Sequence, residues 1–299
     1  MEEKIIATLI TTFISEFIKQ SKELFKGLED EFVQLIKNEI SNYLEKQKNK
    51  YSYVKTLLRG NTPVFLYDIY YNLKINNDKQ DIKTDNIRSI FKSGKYVTII
   101  GDAGSGKTTL MKHLFLNSIY TSFGIPILVE LRYLNDYKNS IEEYIYERIF
   151  ENKLSQNQII LERLLEKGKF IFFLDGYDEL NNELKQKVIT GLSSFINKYG
   201  NNYFILTSRP YSGIEHMPLF YNYNMSKLGL KNGDIEGFIY KQLFTEKELA
   251  DKIVTSITNN RSVHIQSFLT NPLLLSLYIL TFQNNASIPG KNIYFIGEL

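Results

Sequence analysis

The chain of 299 residues contains no cysteine. Disulfides, thiolate metal sites and a cysteine nucleophile are therefore excluded, and a reducing compartment is compatible with the composition. An excess of either charge is also missing: 36 Lys and Arg against 33 Asp and Glu leave a net charge of +3. That balance provides no clear electrostatic footprint for nucleic acid. No apolar run approaches the ~20 residues of a membrane-crossing helix. The amino terminus, MEEKII, carries acids and spaced apolar pairs. A secretory leader would have basic residues and then an uninterrupted apolar core. A cytoplasmic protein is expected. His113, His216 and His264 form no ligand-like cluster in the sequence, and no internal repeat or low-complexity tract is found. What remains is 43% hydrophobic and 23% charged, as in a soluble globular protein. The length allows one large domain or two ordinary ones.

The most informative stretch is Tyr96 to Leu110, YVTIIGDAGSGKTTL. An apolar run enters Gly101-Asp102-Ala103-Gly104-Ser105-Gly106-Lys107-Thr108, which fits G-x-x-x-x-G-K-[ST] at every fixed position. Good helix formers follow. Strand, glycine-rich turn and helix are the context of a phosphate-binding P-loop. Glycines let successive backbone N–H groups converge on phosphate oxygens, and the start of the next helix adds further donors and a positive dipole end. Lys107 is expected to reach the β- and γ-phosphates, and Thr108 to ligate Mg²⁺. Chance alone would produce the four fixed positions in about one chain in a hundred of this length, and the flanking strand and helix make it rarer.

Before this motif, residues 4 to 20 carry apolar pairs at Ile5/Ile6, Leu9/Ile10, Phe13/Ile14 and Phe17/Ile18, a helix with one wide apolar stripe. A second helical pattern runs from Leu24 through Phe32, Ile36 and Ile40 to Leu44, and the polar run EKQKNK is expected to end it. The two stripes either bury each other in a hairpin or present a surface to a partner or effector. Pro63 excludes helix at its position, and the aromatic, β-branched run after it reads as extended. NNDKQDIKTD reads as a loop before a short helix near Asn86 to Phe91, ended by Gly94.

Three more apolar runs follow at βαβ spacing: Pro126–Leu131, Phe170–Leu174 running into Asp175, and Tyr203–Leu206 running into Thr207-Ser208-Arg209-Pro210. Helical patterns lie between them at Ile141–Phe150, Gln156–Glu166 and Asn182–Lys198. Near-continuous apolar strands between helices mean a parallel sheet covered on both faces, with ligands at the carboxyl ends of its strands. From Leu228 the pattern is helical, and IPGKNIYFIGEL begins a segment that does not finish. The expected organisation is an N-terminal helical region (1–50), a lead-in (51–94), a P-loop NTPase core (95–227) and a helical lid with the start of an incomplete region (228–299). The fold class is α/β: a parallel five-stranded sheet of the additional-strand type, preceded by helices and followed by a small helical lid.

FIFFLDGYDEL supplies the acidic partner of the P-loop. Asp175, at a strand end, is placed to hold Mg²⁺ directly or through water. Asp178 or Glu179 is the candidate base that holds water in line with the γ-phosphate. The competing reading is a solvated acidic turn, which would not need a buried strand before it. Arg209 at another strand end is a candidate sensor of the γ-phosphate that stabilises developing charge; its competing reading is an ion pair at the sheet edge. No N-K-x-D motif for guanine is present, which favours ATP over GTP, and no LSGGQ-like segment points to a transporter ATPase.

GDAGSGKTT, LDGYDEL and ILTSRP, together with LGLKNGDIEGFI and FLTNPLLLSL, resemble the NACHT family of signal-transducing (STAND) P-loop ATPases over roughly residues 60 to 285. PVFLYDIYYNL is similar to the lead-in of bacterial members. The resemblance implies that Gly101 to Thr109 hold nucleotide, that Thr108 and Asp175 serve Mg²⁺, that Arg209 is the sensor and that Pro272 packs near adenine. Without the resemblance, Pro272 is a residue that starts a helix. Gly176 departs from many related ATPases, which place the catalytic Glu there. The base is thereby displaced to Asp178 or Glu179, and slow turnover is expected. The winged-helix and sensor regions usual in the family do not follow, so the chain is read as truncated or a short form.

The resemblance therefore implies an ATP/ADP- and Mg²⁺-dependent switch that hydrolyses slowly, oligomerises with itself once an unknown trigger is sensed, and serves antiphage defence. The alternative is a non-catalytic adaptor with structural nucleotide, whose N-terminal helices bind a partner. A P-loop kinase is a distant third, because no acceptor-binding lid is recognisable.

Overall fold

The computed structural model describes residues 2–20, 25–26, 30–77, 80–151, 158–229, 232–259 and 262–284. In chain order the first elements are α1 (Glu2–Gln20), α2 (Asp30–Ser52), β1 (Tyr53–Val54), β2 (Val64–Phe65) and α3 (Leu66–Ile69). Next come β3 (Lys74–Asn77), β4 (Gln80–Lys83), α4 (Ile87–Ile90), β5 (Tyr96–Ile100), α5 (Lys107–Tyr120) and β6 (Ile125–Glu130). They are followed by α6 (Ile141–Glu151), α7 (Gln158–Glu166), β7 (Phe170–Asp175), α8 (Asn182–Tyr199), β8 (Tyr203–Ser208) and β9 (Tyr221–Met225). The chain continues through α9 (Asp234–Gln242), α10 (Lys247–Asn259), α11 (Val263–Phe268) and α12 (Pro272–Asn284).

Two compact units result. The first comprises residues 1–52 and 72–226, the second residues 53–71 and 227–299. This differs from the expected segments. The N-terminal helices belong to the same unit as residues 95–226, and the lead-in is divided between the units at residues 71 and 72.

In the first unit, a seven-stranded sheet runs β4-β3-β9-β5-β8-β7-β6. β9, β5, β8, β7 and β6 are mutually parallel, while β3 pairs antiparallel with both β9 and β4. Of the segment expected as a polar loop, residues 76–77 and 80–83 instead belong to these paired edge strands, with Ile75 facing Ile82 across them. Both isoleucines are buried, so one apolar side chain per strand was enough to anchor them. β9, with the sequence YNYNM, is exposed at three of its five positions and was not legible as a strand. It is held by the buried Tyr223 and Met225 and by its pairing to β5.

The central strands are apolar on both faces because helices cover both. Phe172 and Phe173 are adjacent on β7, so they point to opposite faces of the sheet. Phe173 meets Phe115 of α5 with ring centroids 5.7 Å apart, and Phe172 meets Phe195 of α8 at 5.3 Å. A fully buried Phe contributes ~1.5–3 kcal/mol, so this aromatic centre is a large part of the core.

α1 and α2 add a second layer outside α5. Phe13, Phe17, Ile36, Ile40 and Leu44 are all buried, and the Tyr51 ring packs edge-on against Phe115 at 4.7 Å. These residues of the two stripes are covered within the fold, by α5 as well as by each other, whereas Leu35 is exposed and the side chains of Ile5, Ile6 and Phe32 lie outside the described residues. Leu24 and Leu28 lie outside the described residues. The run EKQKNK does not end the helix: α2 continues to Ser52, because Gln47 and Lys48 are themselves buried in this layer. α4 begins with the Asn86 side chain accepting from the Arg88 N–H, and it stops before Phe91 rather than at Gly94. Gly94 is small for another reason: a Cβ there would sit 2.4 Å from the Tyr221 ring.

In the second unit, β1 and β2 form an antiparallel pair and α3 follows at once, so the run after Pro63 is extended for only two residues. Gln242 Nε2 donates to the Ile69 carbonyl and Tyr71 Oη to Asp234 Oδ1, tying the 53–71 segment to α9. Among the described residues no helix is long and apolar enough to cross a membrane.

Candidate functional site

The carboxyl ends of β5, β7 and β8 bring the candidate groups together. Gly101 N donates to the Ser208 carbonyl at 3.0 Å, which extends the β5–β8 pairing into the start of the loop. Gly104 (φ 74°) and Gly106 (φ 93°) are in the left-handed region, which glycine adopts without penalty. Gly101 has a second constraint, since a Cβ there would meet Met225 and Ser105 at 2.6 Å. Asp102, Ala103, Thr108 and Thr109 are exposed on this loop and the first turn of α5.

Lys107 curls back over the loop. Its ammonium donates to the carbonyls of Gly101 (2.5 Å) and Asp102 (3.1 Å). Burial pushes its pKa down, Arg209 adds to that, and Asp178, Asp175 and Asp102 oppose it. A cation held among carbonyls by a glycine cradle fits polyphosphate. The buried Ser105 hydroxyl, which has no hydrogen-bond partner among the described residues, fits it as well.

Thr108 Oγ1 donates to Asp175 Oδ2 at 2.9 Å. The other carboxylate oxygen of Asp175 accepts from Thr207 Oγ1 at 2.5 Å, and Thr207 Oγ1 in turn accepts from the Gly176 N–H at 2.9 Å. Hydroxyl and carboxylate are the hard oxygen donors that suit Mg²⁺. Among the described residues no group of three or more His, Asp or Glu is placed to hold a metal ion. Thr108 and Asp175 could thus hold Mg²⁺ only with phosphate oxygens and water completing the shell, as is usual for that ion.

Gly176 (φ 82°, ψ 52°) opens a 3₁₀ turn over Tyr177–Glu179. The turn separates the two acids that the sequence left as alternatives. Asp178 is engaged: Oδ1 accepts from the Arg209 N–H at 3.0 Å and Oδ2 faces Arg209 Nε at 2.9 Å. Glu179 is exposed, and partial desolvation of its carboxyl pushes its pKa up. Asp175 and Asp178 add to the rise, whereas Arg132 and, less strongly, Arg209 oppose it. Arg209 is thus in an ion pair, as its competing reading has it, although β8 is an inner strand rather than the edge of the sheet.

Three residues of this region were not singled out by the sequence. Thr207 was quoted only as part of ILTSRP, yet it braces Asp175. Asn135 Nδ2 donates to the Glu179 carbonyl and its Oδ1 accepts from the Asn181 N–H, both at 2.9 Å, which pins the acidic turn. Arg132 pairs with Glu130. A signal existed for Asn135 and Arg132: both follow directly on β6, at the same end of the sheet as the other candidates. Pro272 lies in the second unit at the first position of α12, where the Asn271 side chain accepts from the N–H groups of Leu273 (3.0 Å) and Leu274 (3.3 Å).

A doubly covered parallel sheet, a glycine-cradled lysine at the end of β5 and a hydroxyl–carboxylate pair across to β7 define a nucleotide-binding P-loop NTPase. Within that class, residues 95–246 match the NACHT domain, and the chain belongs to the NACHT family. No curated protein matches the sequence. Among solved structures, the chain is similar to C. elegans PCH-2 at 11% identity and TM-score 0.37. It is also similar to AMPPCP-bound DnaA from Aquifex aeolicus at 14% identity and TM-score 0.32. The matches cover 64% and 63% of this chain, and 62% and 58% of those chains. Likenesses this distant carry no inference about activity.

Proposed function

We propose that this chain is an ATP-binding, slowly hydrolysing signalling switch of the NACHT/STAND type. The observation that carries the reading is the Arg209–Asp178 pair. A guanidinium beside the phosphate loop is already held by a carboxylate, so it has two mutually exclusive partners: Asp178, or the γ-phosphate of ATP. A residue with two such partners is the bistable element that a nucleotide switch requires.

In this reading Lys107 grips the β- and γ-phosphates. Gly101 to Thr109 supply backbone donors and the hydroxyls of Ser105, Thr108 and Thr109, while Thr108 and Asp175 hold Mg²⁺. Bound Mg²⁺ would neutralise phosphate charge. With Asp178 engaged, Glu179 is the base: it orients water and accepts its proton. Its place on a turn, displaced by Gly176 from the strand end, supports slow turnover. By resemblance alone, the helical region from residue 228 would serve as the lid and Pro272 would lie near adenine. Exchange of ADP for ATP would release Arg209 and permit self-association, with defence against phage as the process served in the cytoplasm.

The test is to purify the chain, identify the bound nucleotide and measure its mass in solution with ADP and with ATP. ADP in a monomer and ATP in an oligomer are expected. Turnover near ~10 per second, ordinary for metabolic enzymes, would refute the switch.

A further inference from the structure

Both backbone polar groups of Glu179 are fastened. Its N–H donates to the Gly176 carbonyl at 3.0 Å, and its carbonyl accepts from Asn135 Nδ2 at 2.9 Å. The same Asn135 amide accepts from the Asn181 N–H through Oδ1, also at 2.9 Å. One side chain thus clasps the backbone on either side of the buried Leu180. Asn135 is itself well anchored, because it closes the 3₁₀ turn Leu131–Asn135 that follows β6 directly. Leu131 and Leu134, which eclipse one another in such a turn, are both buried. From the other side the acidic turn is tied by Asp178 to Arg209, just past β8.

The clasp alone is no sign of function. Asn117 makes the same one, donating from Nδ2 to the Asp85 carbonyl at 2.9 Å and accepting from the Ile87 N–H at 2.8 Å. It lies ten residues beyond Lys107 on α5, ~15 Å along the helix axis, and holds no candidate catalytic group. What distinguishes Asn135 is whose carbonyl it holds. With the backbone of Glu179 bonded at both its N–H and its carbonyl, the reach of the carboxyl is left to side-chain rotation alone.

We propose that Asn135 is a positioning residue for hydrolysis: it fixes the backbone from which Glu179 reaches its water, and it keeps hold when Arg209 leaves Asp178 for the γ-phosphate. The proposal rests on Glu179 as the base and on Arg209 as the switch. The Asn135 clasp is neutral, so phosphate charge that competes for Arg209 has no equivalent pull on it.

Single-turnover hydrolysis of ATP and calorimetric ADP affinity, measured on matched variants, make the test. Asn135→Ala and Asn117→Ala each remove two hydrogen bonds from the same unit, and both should lower Tm by ~4–8 °C. Only Asn135→Ala should slow hydrolysis, by about tenfold to a hundredfold, the scale of a misplacement near 1 Å. Its ADP affinity should stay within about twofold of the parent, as a loss confined to the transition state requires. Combined with Glu179→Gln, Asn135→Ala should slow hydrolysis no further, since a residue that acts through Glu179 then has nothing to position. A general loosening of the site would slow both backgrounds. Asn135→Asp is the second variant: it keeps an acceptor for the Asn181 N–H but turns an oxygen to the Glu179 carbonyl, so hydrolysis should fall as far as in Asn135→Ala. Equal rates in the two alanine variants, an undiminished fall in the Glu179→Gln background, or an Asn135→Asp chain as active as the parent would overturn the positioning role alone. Glu179→Gln hydrolysing at the parental rate would overturn the base, and the positioning role with it.

Discussion

Gly176→Ala isolates the backbone contribution to the acidic turn. At φ 82° and ψ 52°, any residue with a Cβ is strained, at a cost of ~1–2 kcal/mol. The added methyl would also stand 3.1 Å from Glu179 Cδ. That side chain is exposed and flexible, so it can withdraw by a few tenths of an ångström, and the contact adds little to the stability loss. The displacement matters differently, because it moves the proposed base. Gly213→Ala is the control: φ is 89° there, but nothing lies within 4 Å of the new Cβ. Both variants should lower Tm by roughly 2–8 °C, taking ~2–4 °C per kcal/mol for a unit of this size. Only Gly176→Ala should also reduce hydrolysis, by about tenfold, because catalytic geometry is sensitive to shifts well below 1 Å. Thermal melts and single-turnover assays on both variants make the test. Equal hydrolysis in the two variants, or an unchanged melting point in Gly176→Ala, would refute the reasoning.

Other consequences are open to simple measurements. Lys107→Ala should weaken ADP binding by ~10- to 100-fold, the scale of a lost charge-assisted phosphate contact, as read by calorimetry. Thr207→Val leaves the buried Gly176 N–H without its acceptor and should destabilise the chain by ~1–3 kcal/mol, visible in urea melts. Asn202 is fully buried, donating to the carbonyls of Leu165 and Tyr199 and accepting from the Phe170 N–H. Asn202→Leu should therefore cost several times a single hydrogen bond, ~3 kcal/mol or more, in the same melts. Glu179 must be ionised to accept a proton, and its pKa is raised, so hydrolysis should fall with acid at a pH above the ordinary 4.5 of a glutamate. The same raised pKa favours the folded state at low pH, and that contribution is lost as pH rises through it. Glu179→Gln should remove both dependences, as pH profiles of rate and of Tm would report.

The sequence by itself determined the parts whose physics is local. Tyr96 to Leu110 needs its glycines, lysine and threonine in one order to make a phosphate cradle, so order alone revealed it. Phe170 to Leu174 and Tyr203 to Leu206 are apolar throughout because both faces of those strands are covered, and a run of that kind is legible without knowing what packs against it. Tertiary structure decided what depends on contacts distant in sequence. β9 is a strand because β5 and β3 pair with it, though its own residues are mostly exposed. The hairpin of β3 and β4 depends on one pair of isoleucines meeting. Which acid is engaged and which is exposed was invisible in DGYDEL: Arg209, 31 residues further on, binds Asp178, and the left-handed backbone of Gly176 turns Glu179 away. The P-loop is written in neighbours along the chain, whereas the division of labour around it is set by neighbours in space.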